Sequence, residues 1–304
     1  MERKSFNESE RQCETSFAMS GNWFHLFTSG RETTLFLKTD DDYRYCMNLM
    51  ARCAVEFHEL VIVAFAIMGN HIHIVLSGEC SVFIAFFHTF RRRLSRYLFA
   101  KYKESVPSSF QLAYKKICDL KSLRNTIVYV NRNGYVANPA YTPFSYPWST
   151  GTCFFNVNQG SVPVSSLTID GQRALFRGRV PAALRQAKLT DGFVSPNSYC
   201  SISFGMALFR DAHHYFNMIC KNMESYSELA TDLDDGEFLT DPEMFSEVLK
   251  ILDGRYAGAK LKSLSNAQKN DLARVLHFQY HSSNGQIRRI LGISQYDIDQ
   301  LFTH

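Results

Sequence analysis

The first strong pattern along the chain is an aromatic run, Asn22 to Ser29 (N-W-F-H-L-F-T-S), that stops at Gly30 and predicts a strand followed by a turn. Thr39 then offers a hydroxyl N-cap, with Asp40, Asp41 and Asp42 where carboxylates meet the positive end of a helix dipole. From there to about His58, the residues Tyr43, Met47, Met50, Ala51, Ala54 and Phe57 recur at helical spacing, so one face should meet a core. Leu60 to Ile67 and His71 to Leu76 are two β-branched or aromatic runs separated by Met68-Gly69-Asn70, the pattern of an antiparallel hairpin with a short Gly/Asn turn. Cys80 to Lys103 returns to helical spacing, and a further helix is expected from near Leu120 to Asn133. Strand, helix, hairpin, helix and helix predict an α+β fold, an antiparallel sheet with helices packed on it.

From Asn138 to about Ser166 the chain is rich in Pro, Gly, Ser and Asn, which suggests a boundary or an extended wrap on the first domain. Beyond it the pattern is mainly helical, with an acidic stretch from Glu224 to Glu247. Near the C-terminus, Ser265 to Tyr280, Ser283 to Ile290 and Gln295 to Phe302 fit three helices, with a turn at Leu291-Gly292-Ile293-Ser294. That is the layout of a helix-turn-helix unit. The expected organisation is therefore an α+β domain over 1–150, a helical extension over 151–264 and a DNA-binding helix-turn-helix unit over 265–304.

Composition narrows the class. A chain of 304 residues, 45% hydrophobic and 20% charged, is neither disordered nor collagen-like. The longest apolar runs, Leu60 to Met68 and Val82 to Phe87, fall short of the roughly 18 residues that span a bilayer. The N-terminus, M-E-R-K-S-F-N-E-S-E-R, has no secretory apolar core. Eight cysteines with no C-x-x-C pair read as reduced thiols, so a cytoplasmic protein without a membrane partner is expected. The net charge of +4 is unevenly placed: residues 1–150 carry 18 Lys+Arg against 13 Asp+Glu, and positions 82–133 alone carry 11 against 2. That basic stretch is either a solvated helix face or a surface for a polyanion.

His71 and His73 stand at i and i+2 on the second run of the hairpin. Strand alternation puts both imidazoles on one sheet face, about 7 Å apart at Cα, which suits shared coordination of one divalent ion and equally suits simple packing. Tyr129 and Asn133 stand at i and i+4 on the later helix, so both project from one helix face.

Taken together, Met68-Gly69-Asn70-His71-Ile72-His73, Tyr129-Val130-Asn131-Arg132-Asn133 and Tyr146-Pro147-Trp148-Ser149-Thr150 resemble, in order and spacing over about residues 20–150, the HUH single-tyrosine transposases. The REP-associated tyrosine transposase-like branch is the one most similar. Against that family's pattern the hairpin proline is Gly69, the Asn-Pro after the tyrosine helix is Asn133-Gly134, and the Arg-Gly after the first strand is Ser29-Gly30.

The resemblance implies metal-dependent, site-specific cleavage and transfer of single-stranded, hairpin-forming DNA through a 5′-phosphotyrosine. It implies Tyr129 as nucleophile and His71, His73 and the Asn133 amide oxygen as ligands of Mg²⁺ or Mn²⁺, with a homodimer possible. Forming the phenolate at pH 7 costs about 4 kcal/mol for a tyrosine titrating near 10, which the site must offset. No G-x-x-x-x-G-K-[ST] loop is present, and a phosphotyrosine keeps the bond energy for rejoining. Phosphate contacts are expected from His25, Arg91, Arg92, Arg93, Arg96, Arg124 and Arg132, and from Arg288 and Arg289 in the terminal unit. The alternative is a DNA-binding regulator that kept the fold without the chemistry. Tyr135, Tyr141 and Tyr146 are rival tyrosines expected in loop, and His58, His88, His213 and His214 are expected to be structural.

Overall fold

The computed structural model describes residues 2–137, 140–156, 162–221, 226, 229–230, 233, 239–280 and 282–302. The chain divides into two compact units, Met1–Gly134 with Thr142–Lys221, and Tyr135–Tyr141 with Asn222–His304.

The first unit opens with α1 (Glu2–Ala18) and continues as β1 (Trp23–Phe27), α2 (Asp40–Glu56), β2 (Val61–Ile67), β3 (Ile72–Ser77), α3 (Cys80–Tyr102), β4 (Ala113–Ile117) and α4 (Leu120–Ala137). The four strands form one antiparallel sheet in the order β2-β3-β1-β4, so the expected α+β class holds. Register fixes the faces: Phe24 pairs with Leu76 and Leu26 with Ile74, while Phe27 pairs with His73 and His25 with Val75. Side chains alternate along a strand. Phe24, Leu26, Ile74 and Leu76 therefore share one face, and His25, Phe27, His73 and Val75 the other. α3 covers the apolar face, with the Phe24 and Phe83 rings 5.0 Å apart. α4 covers the histidine face, its Tyr129 ring 6.4 Å from that of His25.

Capping starts α2. The Asp42 carboxylate accepts from the Lys38 and Thr39 amides at 2.9 Å each, satisfying donors that a helix start leaves open. Asp42 is fully buried, and its second oxygen takes Tyr97 Oη at 2.7 Å and Lys101 Nζ at 2.6 Å. That ties α2 to α3 by a charged pair as well as by packing. On α3, Phe83, Phe86, Phe87 and Phe90 are all at most 1% exposed. Truncating one such ring costs about 3–5 kcal/mol, so this stripe sets the rotation of α3 and turns its arginines away from the sheet.

The segment Tyr146-Pro147-Trp148-Ser149-Thr150 closes the β2 edge. Ile67 N donates to Trp148 O (2.9 Å), Thr150 N donates to Phe65 O (3.0 Å), and Tyr146 Oη donates to Ile67 O (2.7 Å). At the other edge β4 presents exposed Lys115 and Lys116, a charged strand that resists pairing with another chain.

The first unit extends past residue 150. A small sheet of β5 (Val162–Pro163), β6 (Lys188–Thr190) and β7 (Phe193–Val194) follows, with α5 (Ile169–Phe176), α6 (Ile202–Ala207) and α7 (Ala212–Lys221). Val164, Phe176, Val180, Leu184, Ala187 and Val194 form a core with Ala51 of α2, so the side of α2 away from the sheet is filled by residues 164–194. Elements outside the sequence expectation are α1, β4 and the three short strands β5, β6 and β7, which stand where a helical extension was expected. Tyr135 also differs: it lies within α4, not in a loop.

The second unit holds α8 (Asp241–Arg255), α9 (Asn266–Gln279), α10 (Asn284–Leu291) and α11 (Gln295–Leu301). The hydroxyls of Ser265, Ser283 and Ser294 cap the last three helices, and Gly292 ends α10 with φ +62°. Leu272, Leu276, Ile287, Leu291 and Ile298 are buried between them. The three helices expected near the C-terminus are present within a residue or two of their expected ends.

Candidate active site

β1, the β2–β3 turn, β3 and α4 bring together His25, His71, His73, Tyr129 and Asn133. β3 begins at Ile72, so His71 is the last residue of the turn and His73 lies inside the strand. Their rings are 5.0 Å apart and nearly perpendicular. His73 is 1% exposed and His71 half-buried, so the approach from solvent is on the His71 side.

The turn fixes His71. Asn70 Nδ2 donates to the carbonyls of Gly30 (2.7 Å) and Thr33 (2.8 Å). The amide orientation is thereby set, and Asn70 Oδ1, 2.7 Å from His71 Nδ1, must accept a hydrogen bond from that N–H. A neutral His71 then carries its lone pair on Nε2. Gly30 is part of the same device, because a Cβ there would come within 2.7 Å of His71 Nδ1. Only the bare backbone allows the imidazole so close.

His73 is fixed from the opposite side. Its Nδ1 lies 3.2 Å from His25 Nε2, and its Nε2 lies 3.5 Å from the Asn133 amide nitrogen. With the proton on His73 Nδ1, Nε2 presents a lone pair beside Asn133, whose oxygen and nitrogen exchange places when the amide is turned over. Tyr129, one helical turn earlier, sets its ring 5.7 Å from the His73 ring and edge-on to it. Tyr129 is 4% exposed and Asn133 7%.

Two imidazoles, each meeting a second partner through its other nitrogen, and an amide that would present its oxygen once turned over would suit a divalent ion. Among the described residues no three His, Cys, Asp or Glu side chains are placed to hold a metal ion. An ion here would therefore depend on His71, His73 and the Asn133 amide, with its other positions left to phosphate oxygens and water.

The residues expected to contact phosphates differ in exposure and pairing. His25 is 2% exposed and stands behind His73, its Nε2 against the His73 ring. Arg124 is 6% exposed, paired with Glu10 of α1 at 2.6 and 3.2 Å, and donates from Nε to Leu208 O at 2.6 Å. Arg132 is 2% exposed. Arg93 is held by Glu56 at 2.6 Å. In the terminal unit Arg289 forms a fork on Asp241 at 2.7 and 3.0 Å, whereas Arg288 is exposed and donates to Gln295 Oε1 at 2.9 Å. Arg92 and Arg96 are exposed and Arg91 half-buried on the outer side of α3, across the sheet from Tyr129. Tyr146 is spent on the β2 edge, its ring lying where a side chain on Gly134 would be.

Sequence reasoning missed Asn70 and Gly30 as positioning residues. The signal was present in the Gly and Asn of two turns, but what each turn faces depends on the sheet. His214 was expected to be structural; burial, with Arg210 and Arg124 nearby, pushes its pKa down to about 4.

No family model matches the chain, and no curated protein matches it. Among solved structures it is similar to a REP-associated tyrosine transposase bound to a REP hairpin, at 14% identity and a TM-score of 0.32, over 43% of this chain and 76% of that one.

Proposed function

We propose that the protein is a metal-dependent single-strand DNA endonuclease and strand transferase that uses Tyr129 as its nucleophile. The observation that supports this reading is the convergence, from two segments far apart in the chain, of two imidazoles, an amide and a phenol on one sheet face. His71, His73 and Asn133 would hold the ion, which when bound supplies stabilisation of charge developing on the scissile phosphate.

The chain's own part is positional. Asn70 sets the tautomer of His71, His25 stands against the inner nitrogen of His73, and α4 carries Tyr129 and Asn133 on one face. In the reaction the Tyr129 oxygen bonds to phosphorus as the bond from phosphorus to the 3′ oxygen breaks. The phenol proton is lost, the 3′ oxygen gains one, and the 5′ end stays on the tyrosine. Rejoining reverses the exchange with a new 3′ hydroxyl.

The test is covalent capture. With Mg²⁺ or Mn²⁺ and end-labelled hairpin substrates, the wild type forms an adduct stable in denaturing gels, and Tyr129→Phe forms none while binding hairpins within a few fold. An adduct that persists in Tyr129→Phe assigns the chemistry elsewhere. A second reading, a DNA-binding regulator without cleavage, is favoured by the burial of Tyr129. Binding insensitive to chelator, with no adduct on any hairpin, selects it.

A further inference from the structure

Three hollows run side by side on the outer surface of the first unit. One is bounded by Arg91, Arg92 and Arg96 of α3, with Ser105 and Ser108 beyond its end. The next, of about 380 Å³, lies between α2, α3 and the end of α5, and shares Arg96. The third follows α5 and the turn after it, and shares Arg177 with the second. They form one track, because a residue of each border belongs to the next.

The track is strongly basic and poorly neutralised. No Asp or Glu lines the first two hollows, and Asp170 alone lines the third. Arg52 and Arg93 share Glu56, and Arg173 faces Asp170 at 3.7 Å. Among the described residues Arg91, Arg92, Arg96, Arg177, Arg179 and Arg185 form no ion pair. The Arg91 Nε is buried without a hydrogen-bond partner.

These arginines are held in place. Arg177 ends α5 at φ +46°, and its guanidinium carbon stands 4.4 Å above the Tyr97 ring, which is stacked on Tyr45 at 3.9 Å. Phe176 on one side of it and Val180 and Leu184 after it are buried against α2, so their arginine neighbours point outward. Like charges at this density repel one another. Such an array is stable next to a polyanion and unfavourable without one.

We infer that a nucleic-acid strand lies along this track, held through its phosphates by Arg91, Arg92 and Arg96 of α3 and by Arg177, Arg179 and Arg185 beyond α5. A regular line of phosphates matches a line of guanidiniums, whereas a small anion would fill one hollow only. The track is on the α3 side of the sheet, and the Tyr129 cluster is on the α4 side. It therefore holds DNA away from the cleavage point, without reading bases. The proposed endonuclease reading serves here only to name the polymer.

The experiment is salt-dependent binding, read by fluorescence anisotropy on a labelled single strand and a blunt duplex without added metal. Replacing Arg177, Arg179 and Arg185 by Gln lowers the slope of log affinity against log salt by about 2 on the single strand, from three lost phosphate contacts, and weakens binding at least about tenfold. The triple Arg→Lys variant keeps the charge and the slope, which separates charge from folding. An equal loss on the duplex identifies duplex as the occupant and supports the track; a smaller loss there identifies the single strand and also supports it. The proposal is overturned if the Gln variant keeps wild-type slope and affinity, if the wild type binds neither nucleic acid, or if anionic vesicles bind through these arginines and oligonucleotides do not. Adduct formation through Tyr129 is a separate readout, so either idea can fail alone.

Discussion

His25 Nε2 stands 3.2 Å from Nδ1 of His73, a residue 48 positions later in the chain. The two are diagonal neighbours across the β1–β3 pair, since His73 pairs directly with Phe27 and His25 with Val75. This diagonal gives His25 its role: it occupies the inner nitrogen of His73 and leaves the outer one toward Asn133.

If the proposed ion is held by His71, His73 and Asn133, removing such an outer partner should weaken its binding without removing a ligand. His25→Ala and Asn70→Ala are each expected to weaken Mn²⁺ binding by about 10- to 100-fold, measured by electron paramagnetic resonance titration. His71→Ala should lose more. Unchanged Mn²⁺ affinity in both partner variants would sink the assignment of their roles.

Gly30→Ala tests the close approach to His71. A methyl placed 2.7 Å from the imidazole nitrogen must displace the ring or the turn. Overpacking of this kind costs about 1–3 kcal/mol. Urea unfolding should show that loss together with weaker Mn²⁺ binding. A variant with wild-type stability and metal affinity contradicts the packing described here.

Arg124 offers a contrast between architecture and binding. It joins α4 to α1 through Glu10 and to the Leu208 carbonyl. Arg124→Ala is expected to cost about 2 kcal/mol of stability through lost charged hydrogen bonds. At temperatures where the variant remains folded, its salt slope for DNA should equal that of the wild type. A reduced slope would return Arg124 to the phosphate contacts.

Two groups set opposite ends of the acid response. Burial raises the Asp42 pKa, but hydrogen bonds from Lys101, Tyr97 and Tyr102 and from the Lys38 amide more than offset it and hold the carboxyl well below its usual value of 3.8. Its contribution is complete above that value and is lost as pH falls further through the folded pKa. Asp42→Asn should therefore lower stability at neutral pH by about 3 kcal/mol and flatten the decline below pH 3.8. His214 acts earlier: unfolded it binds a proton near 6.5 and folded only near 4. Stability should fall as pH drops between those values, and His214→Gln should remove that slope from a pH series of melting curves.

Local pattern determined much of the frame. β-branched runs around Gly69 and Asn70 specified the hairpin, Thr39 and the aspartates specified the start of α2, and three serines marked the C-terminal helices. In each case the information lies within a few residues, where turn chemistry and capping act. β4 escaped because Ala113-Tyr-Lys-Lys-Ile is an edge strand with exposed lysines and little apolar alternation. α1 escaped because its sequence is charged and without a sustained apolar stripe, and Glu10 gains its partner, Arg124, from a residue 114 positions away.

The candidate ligands and nucleophile, His71, His73, Tyr129 and Asn133, were legible as types at helical and strand spacings. Their meeting was not. Spacing places residues on a face of one element, whereas the distance between two elements depends on register and packing. The same reason divides the arginines: sequence counted them as one basic stretch, but the aromatic stripe of α3 and the carboxylates of Glu10, Glu56 and Asp241 decided which are bound internally. The chain by itself determined most of the elements around the site and its stock of chemical groups. Tertiary structure alone decided which of those groups face each other and which face solvent, because burial and charge pairing are properties of neighbours in space.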